Sequence, residues 1–315
     1  MLHPNLYHGK NKKDNFFEGW YYKIVSKDKK HSFAVIPGIS LSKDSHCFIQ
    51  VLQGEKNLFN YSRYPTFKFS YSNSPFYINI GESSFSLNRL ILNIDNNNLK
   101  ITGSLYFNNL LPWEDSLINP GSMGFYNYFN FMECYSQVCS LDGDIKGTLN
   151  INGTNIDFTN GKVYIEKNWG HSFPIEWLWI QSNSFKDSRA TVTCSLGKVP
   201  FPIKNFRGFL IGVTVDNKLY KFTTMNRSKI KTTITDDNDV ILTAIHDNLK
   251  LSLKTITNKD NFILCYGPKD GKMIPYVKET LTAKVQMDLI DTKNNTVIYS
   301  GKGTNTGVEF GGNFM

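Results

Sequence analysis

The stretch Leu99-Lys100-Ile101-Thr102-Gly103-Ser104-Leu105-Tyr106-Phe107 contains the pattern that recurs through the whole chain. Every second position holds an apolar residue or glycine, and the positions between are mostly polar. Because successive side chains of a β-strand point to opposite faces, this alternation predicts a strand with one face in a core and the other in water. The same period is found in Phe67, Phe69, Tyr71; Phe209, Ile211, Val213, Val215; Leu249, Leu251, Leu253; and Val285, Met287, Leu289.

Turn-forming dipeptides separate the alternating stretches. Examples are Asp142-Gly143, Asn152-Gly153, Asn160-Gly161 and Asp270-Gly271, which are typical of hairpin turns. Many short strands with tight turns predict an all-β protein built as a barrel or a sandwich. The best place for a helix is a short one around Pro120 to Tyr135.

Two halves of the sequence resemble each other. The run Gly19-Trp20-Tyr21-Tyr22-Lys23-Ile24 matches Glu176-Trp177-Leu178-Trp179-Ile180-Gln181 in kind, and Asn98-Leu99-Lys100-Ile101 matches Asn248-Leu249-Lys250-Leu251. A length of 315 residues suits two domains of about 150 residues each. We therefore predict an internal duplication with two consecutive domains, residues 1–170 and 171–315.

The charge of the chain is basic but scattered. Lys plus Arg is 35 and Asp plus Glu is 27, a formal net charge of +8. This pattern is typical of a solvated surface, and the alternative is weak peripheral contact with anionic lipid headgroups. No basic stripe or known module indicates nucleic-acid binding. The sequence does not indicate an oligomeric state.

Five widely spaced cysteines and six histidines show no metal-ligand spacing. We therefore expect reduced thiols and a cytoplasmic protein without a metal. The N-terminus lacks the apolar run of a signal peptide, and no segment is apolar enough to span a membrane. A nucleophile elbow, a P-loop and a dinucleotide fingerprint are all absent from the sequence, which weakens the case for a hydrolase, a kinase or a dehydrogenase.

Two clusters combine aromatic rings with carboxylates. The first is Phe16-Phe17-Glu18-Gly19-Trp20-Tyr21-Tyr22-Lys23, and the second runs from Tyr164 through Glu166, Asn168, Trp169 and His171 to Trp177, Trp179 and Gln181. A carboxyl group beside indole rings is partly desolvated, which raises its pKa and keeps a proton available. The ring faces can stabilise a developing cation. These are the requirements for protonating an olefin and closing a ring. The alternative is structural: tryptophans close barrel ends, and Glu pairs with Lys at strand ends.

A third carboxylate, Glu133, lies in the apolar run Phe131-Met132-Glu133-Cys134. An acid in such surroundings is either half exposed or paired. His171 is the one histidine inside an aromatic cluster. It is read either as a site residue or as a turn histidine bonded to the backbone.

These same stretches resemble the tocopherol cyclase family. The resemblance is carried by F-F-E-G-W-Y-Y-K at 16–23, M-E-C at 132–134, Y-I-E-K-N-W-G-H-S-F-P at 164–174 with W-x-W-x-Q at 177–181, and G-V-E-F-G-G at 307–312. It implies two lipocalin-like β domains, related to those of carotenoid hydratases, and cofactor-free cyclisation of a prenylated quinol to a chromanol. Many bacterial members carry a histidine shortly after M-E-C, where Tyr135-Ser136 stand here, and this departure bears on proton transfer.

The resemblance, together with the clusters, assigns roles to twelve residues. The candidate proton donors are Glu166, Glu133 and Glu18. The candidate substrate-binding residues are Trp20, Tyr22, Tyr164, Asn168, Trp169, His171, Trp177, Trp179 and Gln181. The substrate would be a hydrophobic small molecule. The alternative function is a non-catalytic lipocalin-like carrier of a lipid or pigment, which gains weight if all three acids prove to be paired with Lys or Arg.

Overall fold

The computed structural model describes residues 3–96, 98–186, 190–200 and 205–312. In this part of the chain the helical segments are five short 3-10 turns: Gly9–Asn11, Gly54–Lys56, Thr66–Lys68, Gly124–Tyr128 and Lys259–Asn261. None is long and apolar enough to cross a bilayer. The short helix predicted around Pro120 to Tyr135 is the single turn Gly124–Tyr128. The predicted all-β class is confirmed.

Thirteen strands form the first sheet, and all of its strand pairs are antiparallel. They are β1 (Phe16–Val25), β2 (Ser32–Leu41), β3 (His46–Gln53), β4 (Leu58–Tyr64), β5 (Phe69–Asn73), β6 (Phe76–Ile80), β7 (Ser83–Ser86), β8 (Arg89–Asn96), β9 (Leu99–Asn108), β10 (Cys134–Ser140), β11 (Asp144–Ile151), β12 (Thr154–Asp157) and β13 (Lys162–Gly170). Their order is β4-β3-β2-β1-β13-β11-β9-β8-β7-β6-β5, with β10 paired to β13 and β12 paired to β11.

Ten strands form the second sheet. They are β14 (Glu176–Ser182), β15 (Ala190–Val199), β16 (Phe206–Val215), β17 (Lys218–Thr223), β18 (Lys229–Ile234), β19 (Val240–His246), β20 (Leu249–Ile256), β21 (Ile263–Lys269), β22 (Lys272–Asp291) and β23 (Thr296–Gly312). Their order is β17-β16-β15-β14-β23-β22-β20-β19-β18, with β21 paired to β22.

The two sheets repeat one arrangement. In each, four consecutive strands lie side by side, and the first of them pairs with the last strand of the repeat: β1 with β13, and β14 with β23. The matching runs 98–101 and 248–251 begin one residue before the equivalent strands β9 and β20 and continue into them. Each of these strands forms a hairpin with the strand before it. The predicted fold class, two lipocalin-like domains related by internal duplication, is confirmed.

The chain also divides into two compact units. The first contains Met1–Phe173 together with Cys265–Tyr276, and the second contains Pro174–Leu264 together with Val277–Met315. In the first unit Tyr266 exchanges two hydrogen bonds with the Gln50 amide, at 3.2 Å each, and stacks on Tyr61 with ring centroids 4.4 Å apart. The segment Cys265–Tyr276 is therefore part of the first unit. The predicted domains of residues 1–170 and 171–315 stay a prediction.

Hairpin chemistry explains the turns. Asn152 and Gly153 have φ of 50° and 85°, and Asp270 and Gly271 have φ of 50° and 72°. Two consecutive residues in the left-handed region are what a type I′ turn requires, and Asn-Gly and Asp-Gly adopt it with little strain. These two predicted turns therefore join β11 to β12 and β21 to β22.

Each unit has its own core, on one face of its sheet. In the first unit Tyr22 lies in this core, with its ring centroid 6.1 Å from that of Phe85 and 6.2 Å from that of Phe107. Its hydroxyl donates to the Ser86 carbonyl at 3.1 Å. In the second unit the core takes alternate residues of β14, Leu178 and Ile180. The residues between them point to the opposite face of that sheet.

Candidate functional site

The ribbon formed by β1 and β13 carries most of the predicted site residues of the first unit. Glu18 lies opposite Trp169, and Trp20 lies opposite Lys167. Because directly opposed residues of an antiparallel pair share a face, these four side chains are on one face, which is the core face that also holds Tyr22. Residues at the alternate positions, including Glu166, point to the other face.

On the core face, Glu18 and Lys167 form a fully buried ion pair. Lys167 Nζ lies 2.6 Å from Glu18 Oε1, and both side chains have 0% exposure. Glu18 also accepts from the backbone N–H of His8 at 3.0 and 3.1 Å. Burial lowers the pKa of Lys167, and the Glu18 carboxylate opposes that shift. Glu18 is thus held in place by the Lys167 ammonium group and by the backbone N–H of His8.

The two tryptophans of this face already surround a cation. Lys167 Nζ lies 4.4 Å from the ring centroid of Trp169 and 5.1 Å from that of Trp20, within the range of a cation–π interaction. Trp169 also stacks on Tyr135, with ring centroids 5.3 Å apart. The faces of Trp20 and Trp169 thus contact the Lys167 ammonium group, and their predicted contact with a substrate cation stays a prediction.

The N-terminal segment closes this cluster. Lys167 Nζ donates to the Pro4 carbonyl at 3.0 Å and to the Leu6 carbonyl. Its distance to His8 Nδ1 is 2.9 Å. Tyr7 is fixed by Asn73, which accepts from its backbone N–H at 3.1 Å and donates to its carbonyl at 3.2 Å. Burial lowers the pKa of His8, so the imidazole is neutral at neutral pH and can accept from the ammonium group.

On the opposite face, Glu166 accepts hydrogen bonds from three neutral side chains. Its side chain is 5% exposed. The Tyr164 hydroxyl donates to Oε2 at 2.6 Å, and Ser136 Oγ and Asn168 Nδ2 each donate to Oε1 at 3.1 Å. Three of these residues follow each other at two-residue spacing on β13, and β10 supplies Ser136. The position where the sequence departs from the family pattern therefore touches Glu166.

The Tyr164–Glu166 pair can hold and pass a proton. A phenol and a carboxyl group at 2.6 Å share one strong hydrogen bond. Ser136 and Asn168 fix the other carboxyl oxygen, so the group has a defined orientation. On the same face, directly opposite Tyr164 in the register, lies the fully buried Lys23. The arrangement suits acid–base chemistry that is shielded from water.

Glu133 and His171 lie together at the end of the β10–β13 pair. The Glu133 carbonyl accepts from the backbone N–H groups of His171 at 2.9 Å and Ser172 at 3.3 Å. Burial raises the pKa of the Glu133 carboxyl, His171 opposes that shift and Asp270 adds to it. Glu133 therefore keeps its proton to a higher pH than an ordinary glutamate.

The second unit holds the remaining predicted residues on the face away from its core. Trp177, Trp179 and Gln181 alternate along β14, opposite Gly311, Glu309 and Gly307 of β23. A Cβ atom at Gly311 would overlap the Trp177 ring, and one at Gly307 would overlap the Trp179 ring. Both indoles therefore lie over β23, in space that only glycine leaves open. The Trp177 indole N–H donates to Glu309 Oε1 at 2.5 Å.

Two carboxylates of this face were missed by the sequence reasoning. Glu309 lies between the two glycines, and Glu279 of β22, 1% exposed, lies directly opposite Glu309. A signal for Glu309 was present, because the run G-V-E-F-G-G places it two residues from each of two glycines on a strand. For Glu279 the sequence offered no motif.

The structure thus divides the predicted site residues into separate groups. Glu18, Trp20, Tyr22 and Trp169 belong to the core face of the first unit, whereas Tyr164, Glu166 and Asn168 share its other face. Glu133 and His171 form a pair at a strand end, and Trp177, Trp179 and Gln181 belong to the second unit. In the described ranges no three His, Cys, Asp or Glu side chains are grouped to hold a metal ion.

Comparison with known proteins identifies the family. The tocopherol cyclase-like family profile matches residues 104–312, about two thirds of the chain. The chain belongs to the tocopherol cyclase-like family. It is 25% identical over 179 residues to a probable chloroplastic tocopherol cyclase of Oryza sativa subsp. japonica, covering 56% of this chain and 37% of that protein. It is 32% identical over 98 residues to the chloroplastic tocopherol cyclase of Zea mays, covering 30% of this chain and 21% of that protein. The match thus spans 37% of the length of the first relative and 21% of the length of the second.

Solved structures share the fold along nearly their whole length. The chain is similar to CghA with Sch210972, with a TM-score of 0.64, 10% identity, and 94% and 88% of the two chains covered. A putative AttH protein from Nitrosomonas europaea gives a TM-score of 0.56, 11% identity, and 99% and 97% coverage. Kievitone hydratase from Nectria haematococca gives 0.54, 13% identity, and 98% and 94% coverage. At such identities the similarity shows the fold alone.

Proposed function

We propose that this member of the tocopherol cyclase-like family catalyses acid-promoted intramolecular cyclisation of a prenylated quinol or a related isoprenoid. The observation that carries the proposal is the buried hydrogen bond between the Tyr164 hydroxyl and Glu166 at 2.6 Å. It lies inside the longest run that resembles the family signature, residues 164–174. Family membership supports the reaction class, and the geometry supports Glu166 as the proton donor.

The reaction needs one proton to be given and one to be taken back. Glu166, directly or through Tyr164, donates a proton to one carbon of the prenyl double bond, which forms a C–H bond and leaves a tertiary cation on the neighbouring carbon. The quinol oxygen attacks this cation and forms the C–O bond of the new ring. The hydroxyl proton of the quinol then returns to the Glu166 carboxylate, so atoms and charge balance. Such positioned proton transfer contributes about 10²–10⁴-fold to a rate.

Glu133 is the second candidate for the donor. Its burial-raised pKa favours a protonated group, although it has more contact with solvent than Glu166. Glu18 is the weakest of the three candidates because it forms a fully buried ion pair with Lys167 at 2.6 Å, as the structural alternative for these acids predicts. All nine substrate contacts remain predictions: those of Trp20, Tyr22, Tyr164, Asn168, Trp169, His171, Trp177, Trp179 and Gln181.

The alternative function, a carrier for a hydrophobic ligand, is favoured by one observation. Glu18 is paired with a lysine, as expected of an acid with a purely structural role. A carrier has no use for a proton at a reacting double bond, and the desolvation of a protein carboxyl group costs free energy. The burial-raised pKa of the Glu133 carboxyl group favours the enzyme.

Cyclisation in deuterated buffer tests the proposal. The substrate is a 1,4-benzoquinol bearing a prenyl chain with a trisubstituted double bond, and the product is followed by liquid chromatography and mass spectrometry. The wild type should give the ring-closed isomer with one deuterium on carbon. Glu166→Gln should reduce kcat by about 10²–10⁴-fold, whereas the exposed Glu82→Gln should leave kcat unchanged.

Three results would count against this assignment. A normal rate in Glu166→Gln with a large loss in Glu133→Gln would move the proton donor to Glu133. Ring closure without deuterium on carbon would exclude protonation of the olefin. Tight binding of the unreacted quinol by both the wild type and Glu166→Gln would favour the carrier.

A further inference from the structure

The connection between β9 and β10 concentrates exposed apolar side chains. Fourteen large hydrophobic residues of the described chain are exposed, and five of them lie within the fifteen residues Leu117–Phe131, here called the apolar loop. Leu117 and Ile118 are adjacent and are 77% and 87% exposed. The other three are Phe125, Tyr128 and Phe131. A soluble surface carries single exposed apolar residues at random, so such a concentration indicates an interaction site.

Internal hydrogen bonds close the tip of the apolar loop. Ser116 and Asn119 exchange backbone hydrogen bonds at 3.3 and 3.2 Å around Leu117 and Ile118. The Leu117 carbonyl accepts from the Tyr128 hydroxyl. Asn127 Nδ2 donates to the Pro120 carbonyl at 2.7 Å. Because hydrocarbon offers no hydrogen bonds, each of these bonds lowers the free-energy cost of moving the tip out of water.

The charges around the apolar loop indicate which surface it fits. No lysine or arginine occurs between Ile101 and Ile145, although the chain contains 35 such residues. The acidic Asp115 precedes the loop and accepts from the Gly121 N–H at 2.8 Å. Anionic headgroups would therefore gain nothing from this segment. Aliphatic residues at a tip, flanked by Tyr and Phe, match the composition of segments that enter the interface of a bilayer.

We propose that the apolar loop inserts into the interface of a zwitterionic phospholipid bilayer, with Leu117 and Ile118 entering deepest. This goes beyond the cyclisation and does not depend on it. It also differs from contact through scattered basic residues, because the attraction is apolar and independent of anionic lipid. The affinity comes from the burial of two aliphatic side chains and the aromatic rings beside them.

Flotation of the full chain with vesicles tests this proposal. The vesicles are phosphatidylcholine alone or phosphatidylcholine with 30% phosphatidylglycerol, a fraction chosen at about the anionic content of many membranes, each at low and high salt. The wild type should float with phosphatidylcholine alone, and salt should change the bound fraction little. The double variant Leu117→Ser, Ile118→Ser should bind roughly tenfold more weakly. Phe67→Ser, at an equally exposed residue (80%) on another part of the chain, should bind like the wild type.

Each other outcome overturns the proposal. Equal flotation of the double variant and the wild type would show that Leu117 and Ile118 do not insert into the bilayer. Binding that requires phosphatidylglycerol and disappears at high salt would assign docking to the basic residues. No flotation, together with a wild-type dimer that Leu117→Ser, Ile118→Ser converts to a monomer, would make the apolar loop an interface between two copies of the chain. Circular dichroism checks that every variant is folded.

Discussion

Glu18 and Glu166 lie on neighbouring strands of one ribbon, both almost completely buried, and they point to opposite faces of it. Glu18 contacts an ammonium group at 2.6 Å on the core face. Glu166 accepts from a phenol, a hydroxyl and a carboxamide on the other face. A single cation attracts a carboxyl group from one side, whereas several hydrogen-bond donors fix the orientation of both of its oxygens. The comparison teaches that burial alone does not identify a catalytic acid and that its contacts must be known as well.

The largest expected effect is a loss of stability when Glu18 loses its lysine partner. Lys167→Met leaves Glu18 buried without its cation, and breaking a buried pair costs about 3–5 kcal/mol. Urea unfolding should show this loss, and the double variant Glu18→Gln, Lys167→Met should recover part of it. The exposed pair Lys100–Asp95 provides the control, because Lys100→Met should cost less than about 1 kcal/mol. An equal small loss in both lysine variants would remove the distinction between the two glutamates.

The next effect concerns the proton-sharing pair. Tyr164→Phe deletes the 2.6 Å hydrogen bond to Glu166 and leaves the buried carboxyl group without this donor, which should cost about 1–3 kcal/mol. The measurement is again urea unfolding, with the exposed Tyr106→Phe as the matched control. An undiminished stability in Tyr164→Phe would mean that the phenol does not hold the carboxylate.

A smaller effect is expected from the hydroxyl on β10. Ser136→Ala removes the 3.1 Å hydrogen bond to Glu166 Oε1 and should lower the free energy of unfolding by about 0.5–1.5 kcal/mol. It should also weaken the orientation of the carboxyl group, so kcat should fall less in this variant than in Glu166→Gln. A Ser136→Ala enzyme as slow as Glu166→Gln would assign the serine a direct part in proton transfer.

The smallest effect is the dependence of stability on pH at His8. Burial lowers the folded-state pKa of His8 below its ordinary value of 6.5, Lys167 lowers it further and Glu18 opposes the shift. The unfolded chain therefore binds more protons than the folded chain between these two pKa values, so stability should fall as the pH drops below about 6.5. His8→Gln should reduce the slope but not abolish it, because burial also lowers the pKa of His46. An unchanged slope in urea unfolding between about pH 5 and 7.5 would contradict this.

The fold was largely predictable from local pattern. The alternation from Leu99 to Phe107 follows from the two faces of a strand, and the Asn152-Gly153 turn follows from allowed backbone angles. Both are local properties, so they do not depend on the rest of the fold. Pairing between distant strands leaves no such local mark. The placement of Cys265–Tyr276 in the first unit could therefore not be predicted, because only contacts such as Gln50 with Tyr266 determine it.

Individual site residues could be proposed from the sequence, but which of them lie together could not. Glu166 and Trp169 are three apart on one strand and so lie on opposite faces, a consequence of strand geometry that the sequence already contained. Which charge neutralises Glu18 could not be deduced, because the register that brings Lys167 opposite Trp20 depends on two strands about 140 residues apart. The same holds for Glu279, which becomes notable only opposite Glu309.

The segment Cys265–Tyr276 belongs to the first unit but is translated long after the rest of it. The Ser40 hydroxyl donates to the Gly271 carbonyl at 2.6 Å, and the Asp270 N–H donates to Ser172 at 2.8 Å. These bonds cannot form until a ribosome has added roughly 100 residues beyond Phe173, which takes about 5–20 seconds at ordinary elongation rates. During that interval the ring of Tyr61 lacks its stacking partner Tyr266. The nascent first unit therefore exposes aromatic surface that chaperones can bind.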